Sequence, residues 1–140
     1  MFGSLFRTKQ KNEQNNSNPS LRKLGEQGEA LAMEFLSKKG LHLIDRNFYS
    51  HFGEIDLIMQ DNNRTNDNYL VFIEVRRRKN LGYGSALESI DIRKQQKIRK
   101  TAEFFLLKNS QYQNQAVRFD VILVSSDKQK DSIEWIENAF

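Results

Sequence analysis

Residues 53–78, GEIDLIMQDNNRTNDNYLVFIEVRRR, contain two runs rich in Ile, Val, Leu and Phe, Gly53–Met59 and Leu70–Arg76, on either side of the polar segment QDNNRTNDN. Branched and aromatic residues favour the pleated conformation, and a polar linker of this length suits a hairpin loop. Side chains alternate across a strand, which predicts Ile55, Leu57 and Met59 on one face and Glu54, Asp56 and Ile58 on the other. On the partner strand, Val71, Ile73 and Val75 form an apolar face opposite Leu70, Phe72, Glu74, Arg76 and Arg78. Symmetric pairing about Thr65 sets Asp56 directly across from Glu74. A slip of one residue would put the two on opposite faces.

Outward from the hairpin, Leu41 to Asn47 gives a strand before it, and VRFDVILV (Val117 to Val124) and the C-terminal SIEWIENAF give two after it. Ser20 suits an N-cap, and Leu21, Leu24, Gly28, Leu31, Ala32 and Phe35 follow at helical spacing. Lys38-Lys39-Gly40 stops that helix, through cations at the dipole's negative end and a glycine able to turn left-handed. Gly82-Tyr83-Gly84 interrupts the strand pattern, and Ser85-Ala86-Leu87-Glu88 has capping-box spacing. Asp91 offers a second start, so the stretch to Lys108 is one helix or two. The order is helix-strand-strand-strand-helix-strand-strand. Such an order predicts an α/β fold with a mixed sheet, since strand-helix-strand implies a parallel crossover and the hairpin is antiparallel.

The chain has 140 residues, 38% of them hydrophobic, 29% charged, with a mean hydropathy of −0.71 and no Cys. That length suits one domain, expected over residues 21–140. Residues 1–20 are expected to form a flexible polar tail, because KQKNEQNNSNP contains no apolar anchor. No run approaches a membrane span and no apolar signal core follows the first Met, so a cytoplasmic protein with no membrane partner is expected. Without Cys there are no disulfides, thiolate metal sites or Cys nucleophiles. The net charge of +4 is unevenly spread: between Arg76 and Lys100 nine cations face only Glu88 and Asp91, leaving +7, while the other 115 residues carry −3. A phosphate-binding face and a plain solvated helix face both fit such a run.

Two carboxylates on one face of a half-buried hairpin repel and lose hydration, so something must compensate them. A hard divalent cation would do so, and so would an ion pair between Glu74 and the arginine two residues on. Both readings stand from the hairpin alone. In the first helix Glu29 falls at the border of the apolar stripe, within reach of the sheet edge, whereas Glu26 and Glu34 face solvent. Lys94 shares a line with Leu87, Ile98 and Phe105, which snorkelling or a nearby anion-binding site explains. Asp120 and Arg118 share a strand face, which suits an intrastrand ion pair or a role for Asp120 at a site. Trp135, Phe104 and Phe105 are read as core, and His42 and His51 lack metal-ligand spacing.

Together GEQGEALAMEFLSKKG, DRNF, GEIDLI, VFIEVRRR, the helix from Lys94 to Leu106, RFDVI and the terminal AF resemble the UPF0102 (YraN-like) family of small bacterial proteins, over about Leu21 to Phe140. That family is similar to archaeal Holliday-junction resolvases and to restriction-endonuclease-like, PD-(D/E)xK nucleases. The resemblance implies a restriction-endonuclease-like sheet and a Mg²⁺ (or Mn²⁺) site. It makes Asp56 and Glu74 metal ligands, adds the Val75 carbonyl, and matches Glu29 to a helix glutamate that completes the site. Arg76 stands where these nucleases usually carry a catalytic Lys. Arginine, with a pKa above about 12, is not a base, although it orients water and stabilises phosphoryl charge.

The expectation is a Mg²⁺-dependent endonuclease on branched or otherwise structured DNA, with Glu29, Asp56, Glu74 and Arg76 at its catalytic centre. Arg77, Arg78, Lys79, Lys94 and Lys97 are expected to hold the nucleic acid by its phosphates. A degenerate, non-catalytic nucleic-acid-binding module is the alternative, favoured by Arg76. A small protein docking an acidic partner is a third reading, which leaves the inward carboxylates unexplained. By analogy, a symmetric junction as substrate would favour a homodimer.

Overall fold

The computed structural model describes residues 19–63, 68–78, 90–127 and 130–140, apart from the side chains of residues 21, 78, 126 and 127. Helix α1 spans Pro19–Lys38, followed by strands β1 (His42–Ser50), β2 (Gly53–Asp61) and β3 (Tyr69–Arg78). Helix α2 (Ile92–Lys108) and a short 3₁₀ turn (Ser110–Tyr112) lead into β4 (Ala116–Asp127) and β5 (Lys130–Ile136). The strands form one sheet in the order β1-β2-β3-β4-β5, with β3 and β4 parallel and the other neighbours antiparallel. An α/β fold with a mixed sheet and helices packed on it is thus what the chain forms. The expected capping box at Ser85–Glu88 and all but the end of the expected tail lie outside the described residues.

Helix α1 takes in Pro19 and Ser20, so Ser20 lies inside it rather than capping it, while its C-terminus and the start of α2 follow their local chemistry. Gly40 takes φ +93, while Leu41 N–H donates to Leu36 O and Gly40 N–H to Ser37 O, both at 3.0 Å. That bond pair is a Schellman stop, which satisfies two carbonyls at the helix end. At α2, the Asp91 side chain accepts from Lys94 N–H at 2.9 Å and caps the first turn.

The hairpin register runs Leu57↔Ile73, Ile58↔Phe72, Met59↔Val71, Gln60↔Leu70 and Asp61↔Tyr69. This is symmetric about Thr65 as expected, and the ladder ends at Leu57↔Ile73, one step short of the expected Asp56–Glu74 pair. On one face of the sheet, Phe72, Ile58, Val121 and Leu123 pack with Ile98, Ala102 and Phe105 of α2. On the other, Leu57, Met59, Ile73 and Ile122 pack with Ala32 and Leu36 of α1.

Strand β2 departs from strict alternation. Ile55 joins Phe48 in the α2-side core, while Leu57 and Met59 belong to the α1 side, so the three do not share a face as expected. The reason lies in β1, which runs on to Ser50. Its Asn47, between the pairs Arg46↔Leu57 and Phe48↔Ile55, has φ 53, a left-handed turn that Asn tolerates and that reverses the pleat.

At the end of the sheet where β4 begins, Arg118 is clamped by acids. Its Nε donates to Asp120 Oδ1 at 2.9 Å and its Nη2 to Asp61 Oδ2 at 3.1 Å. Trp135 Nε1–H and Asn138 N–H each donate to Asp120 at 2.9 Å, and Asp120 is fully buried. The intrastrand ion pair read from the sequence is therefore the centre of a larger network that ties β2, β4 and β5 together. Arg118→Leu leaves two buried carboxylates without their cation, so we expect a loss of about 3–5 kcal/mol in urea unfolding. A loss under about 1 kcal/mol would show that the network is not a clamp.

Candidate metal centre

Three acidic side chains converge where β2 and β3 part. The paired positions of the hairpin end at Leu57↔Ile73, and beyond them Val75 N–H donates to the Asp56 carboxylate, Oδ2, at 2.8 Å. A side chain thus takes a hydrogen bond from the neighbouring strand's backbone. Because Ile55 turns toward α2, its neighbour Glu54 turns toward α1. Leu57 turns toward α1 and sends Asp56 back toward Glu74. The reversed pleat therefore spreads the acids of one strand around a single point.

Helix α1 supplies the third acid. A Cβ on Gly28 would lie 3.9 Å from Val75 Cγ1, so the helix backbone rides close over β3. That approach delivers Glu29 to the sheet edge, beside Asn47 and Asp56. Glu29, Glu54 and Asp56 each bring a carboxylate oxygen within 4.8 Å of the others. Glu29 Oε2 is buried with no hydrogen-bond partner. Such an oxygen is costly, and a hard cation that takes only oxygen ligands fits it and its neighbours.

The electrostatics agree. Burial and then the Glu74 charge push the Asp56 carboxyl well above the usual carboxylate range, against the pull of the Val75 N–H. Burial raises Glu29 and Glu54 as well, the latter against a hydrogen bond from Tyr49. Tyr49, paired with Glu54 across the β1–β2 ladder, is itself pushed up to about 12 by burial and by that glutamate.

Glu74 stands outside this trio. Its side chain is 6% exposed, and its Oε1 meets Arg76 Nε at 3.2 Å and Lys94 Nζ at 3.5 Å. The arginine pairing weighed from the sequence is therefore present, and Lys94 leans over an acid rather than snorkelling to water. Arg77 Nη2 donates to Leu24 O of α1 at 3.4 Å, and Lys97 is exposed on α2. The Arg78 side chain and Lys79 lie outside the described residues. Glu26 and Glu34 form exposed i,i+4 pairs with Arg22 and Lys38. Glu54 is the acid that sequence reasoning passed over, although it stands only two residues before Asp56 on the same strand.

The model of the uncharacterised protein family UPF0102 matches residues 28–124. The chain belongs to the UPF0102 family. A UPF0102 protein of Stutzerimonas stutzeri is 42% identical over 116 residues, covering 83% of this chain and 92% of its own. Another, from Saccharophagus degradans, is 46% identical over 116 residues, 83% and 91% of the two chains. A UPF0102 protein of Colwellia psychrerythraea is 40% identical over 131 residues, 92% and 97% of the two. The family match begins at Gly28 and runs to the end of the buried part of β4, so it takes in Glu29, Glu54, Asp56, Glu74 and Lys94. Neither helix described in this UPF0102 member is long and apolar enough to cross a membrane.

Carboxyls whose folded pKa is raised destabilise the fold once ionised. The unfolded chain releases those protons first, so stability falls as pH rises from the ordinary carboxylate range through the raised values. Asp56→Asn keeps an oxygen for Val75 N–H and removes the charge. In chelator-treated buffer it should stabilise the protein by about 1–3 kcal/mol near pH 8, with the gain vanishing near pH 4. A gain independent of pH, or a loss at about pH 8, would show that Asp56 is not held against its ionisation.

Proposed function

We propose that this protein is a divalent-cation-dependent endonuclease acting on DNA, with a restriction-endonuclease-like fold. One observation carries the reading. Three half-buried carboxylates share one point, one of them with an unpartnered buried oxygen, near Glu74 with its cations Arg76 and Lys94. Acids packed this closely cost stability, and a ligand that needs them explains why they stay together.

Asp56, Glu29 and Glu54 would hold Mg²⁺ or Mn²⁺, with Glu74 and the Val75 carbonyl as the further ligands implied by the family resemblance. Bound there, the cation would polarise a phosphodiester oxygen and acidify water. The chain's own groups do the rest. The Val75 N–H fixes one oxygen of Asp56 and so orients the other. Arg76 and Lys94 hold Glu74 Oε1 and place two positive charges where a phosphoryl group would approach. Arg76 cannot remove a proton, so its part is orientation and charge stabilisation. Arg77, Arg78, Lys79, Lys94 and Lys97 would steer the backbone, a contact that weakens steeply with salt.

The double ion pair on Glu74 favours a second reading, a nucleic-acid-binding module whose site has closed on itself. Two measurements separate the readings. Wild type should nick plasmid or branched DNA with Mg²⁺ or Mn²⁺, and Asp56→Ala should lose at least about a hundredfold of that rate. Equal rates in both would refute the nuclease. Titration calorimetry should show cation binding that Asp56→Ala abolishes; its absence in wild type favours the closed module. Cleavage gained on Arg76→Lys, where wild type has none, would mark the site as dormant.

A further inference from the structure

The turn between β1 and β2 presents aromatic rings where turns usually present small polar residues. His51 and Phe52 are both exposed, Phe52 at 36%. Their ring centroids lie 3.9 Å apart at 38°, and His51 meets Phe104 of α2 edge-on at 6.2 Å. Phe104 rests against Phe48 of the core, which braces the pair from beneath.

The turn is fixed to α2. Ser50 Oγ donates to Thr101 Oγ1 at 3.3 Å and accepts Phe52 N–H at 3.1 Å, and Thr101 is buried. Cations surround the rings. Lys100 Nζ lies 5.9 Å from the Phe52 centroid and Lys108 Nζ 5.6 Å from that of Phe104. A Cβ on Gly53 would lie 3.7 Å from Lys97 Cβ, which sets that lysine beside the turn. Lys97, Lys100, Phe104 and Lys108 recur every three or four residues, one helix face running about 16 Å.

We propose that this turn and helix face bind a single, unpaired DNA strand, a base stacking on the His51–Phe52 pair while Lys97, Lys100 and Lys108 take its phosphates. Every base offers a π-face, so such a platform tolerates any sequence, whereas bases inside a duplex are already stacked and do not reach it. Flanking lysines match a polyanion. The inference rests on the nuclease reading and deepens it. Glu54 follows Phe52 by two residues, at the start of β2, so the platform and the carboxylates share one end of the β1–β2 hairpin. Unpaired nucleotides beside the cleaved bond are thereby the substrate class.

The test is fluorescence anisotropy in chelator, with a labelled single-stranded oligonucleotide and the blunt duplex of the same sequence. Phe52→Ala should weaken single-strand binding about tenfold and leave duplex binding unchanged, while Phe52→Trp should bind as wild type does. Thermal melting of both variants confirms the fold, which an exposed turn residue should not disturb. The proposal is overturned if Phe52→Ala binds the single strand as wild type does, if both DNA forms weaken equally, or if a polyglutamate peptide shows the same Phe52 dependence. If the duplex binds and Asp56→Ala still removes cleavage, such a result leaves the nuclease reading standing. Wild type that binds no DNA overturns both.

Discussion

Asp56 is a carboxylate held away from water among other carboxylates, and much of the chain's local geometry is arranged around it. The Val75 N–H that would otherwise serve the sheet is given to Asp56. Helix α1 crosses β3 at Gly28, beside Val75, and Asn47 takes a left-handed turn that sends Glu54 toward Glu29. Among the described residues none of Glu29, Glu54 and Asp56 carries an ion pair, whereas Glu74, one strand away, carries two. Burial outweighs what the nearby charges of Arg46 and Lys94 do for Glu29 and Glu54. An ordinary stabilising network does the opposite, as Arg118 does when it sits between Asp61 and Asp120.

Much of this was legible in the amino-acid order. The polar loop and the two apolar runs centre the hairpin on Thr65, which is the register its pairs from Leu57↔Ile73 to Asp61↔Tyr69 keep. Val71, Ile73 and Val75 share a face for the same reason. Asp91 was readable as a cap because its position precedes a periodic apolar pattern. The alternation at Ile55 was not readable. It depends on the backbone of Asn47, one of several asparagines, with nothing in its neighbours to mark it. The Tyr49–Glu54 pairing was hidden as well, because a register shift between Leu43 and Asp45 sets the β1–β2 alignment. Glu54 was overlooked for that reason: an acid near a strand end is usually a solvated one, and only its partners distinguish it.

The basic segment behaves differently along its length. Arg76 and Lys94 turn inward to Glu74, Arg77 reaches the carbonyl of Leu24, and Lys100 lies over an aromatic ring. A run of cations that looks uniform in composition is therefore divided among an acid, a helix backbone and a π-face. Charge counted from a sequence gives the supply of cations and leaves their employment to the fold.

The parallel join between β3 and β4 divides the sheet by how far apart its partners lie along the chain. Asp61 pairs with Tyr69 across the hairpin, while Tyr69 pairs with Ala116 only after the whole crossover, roughly 47 residues on. Closing the longer loop costs about 1.5 kcal/mol more chain entropy than closing the shorter. Arg118 sits at this seam and reaches past β3 to Asp61 of β2, so the costliest closure is also the one that is stapled. Glu29, Glu54, Asp56 and Glu74 all lie before the crossover, on a continuous piece of chain made of α1 and the first three strands. The acidic half of the site thus belongs to short-range topology, and its lysine to the long-range half that docks across the seam.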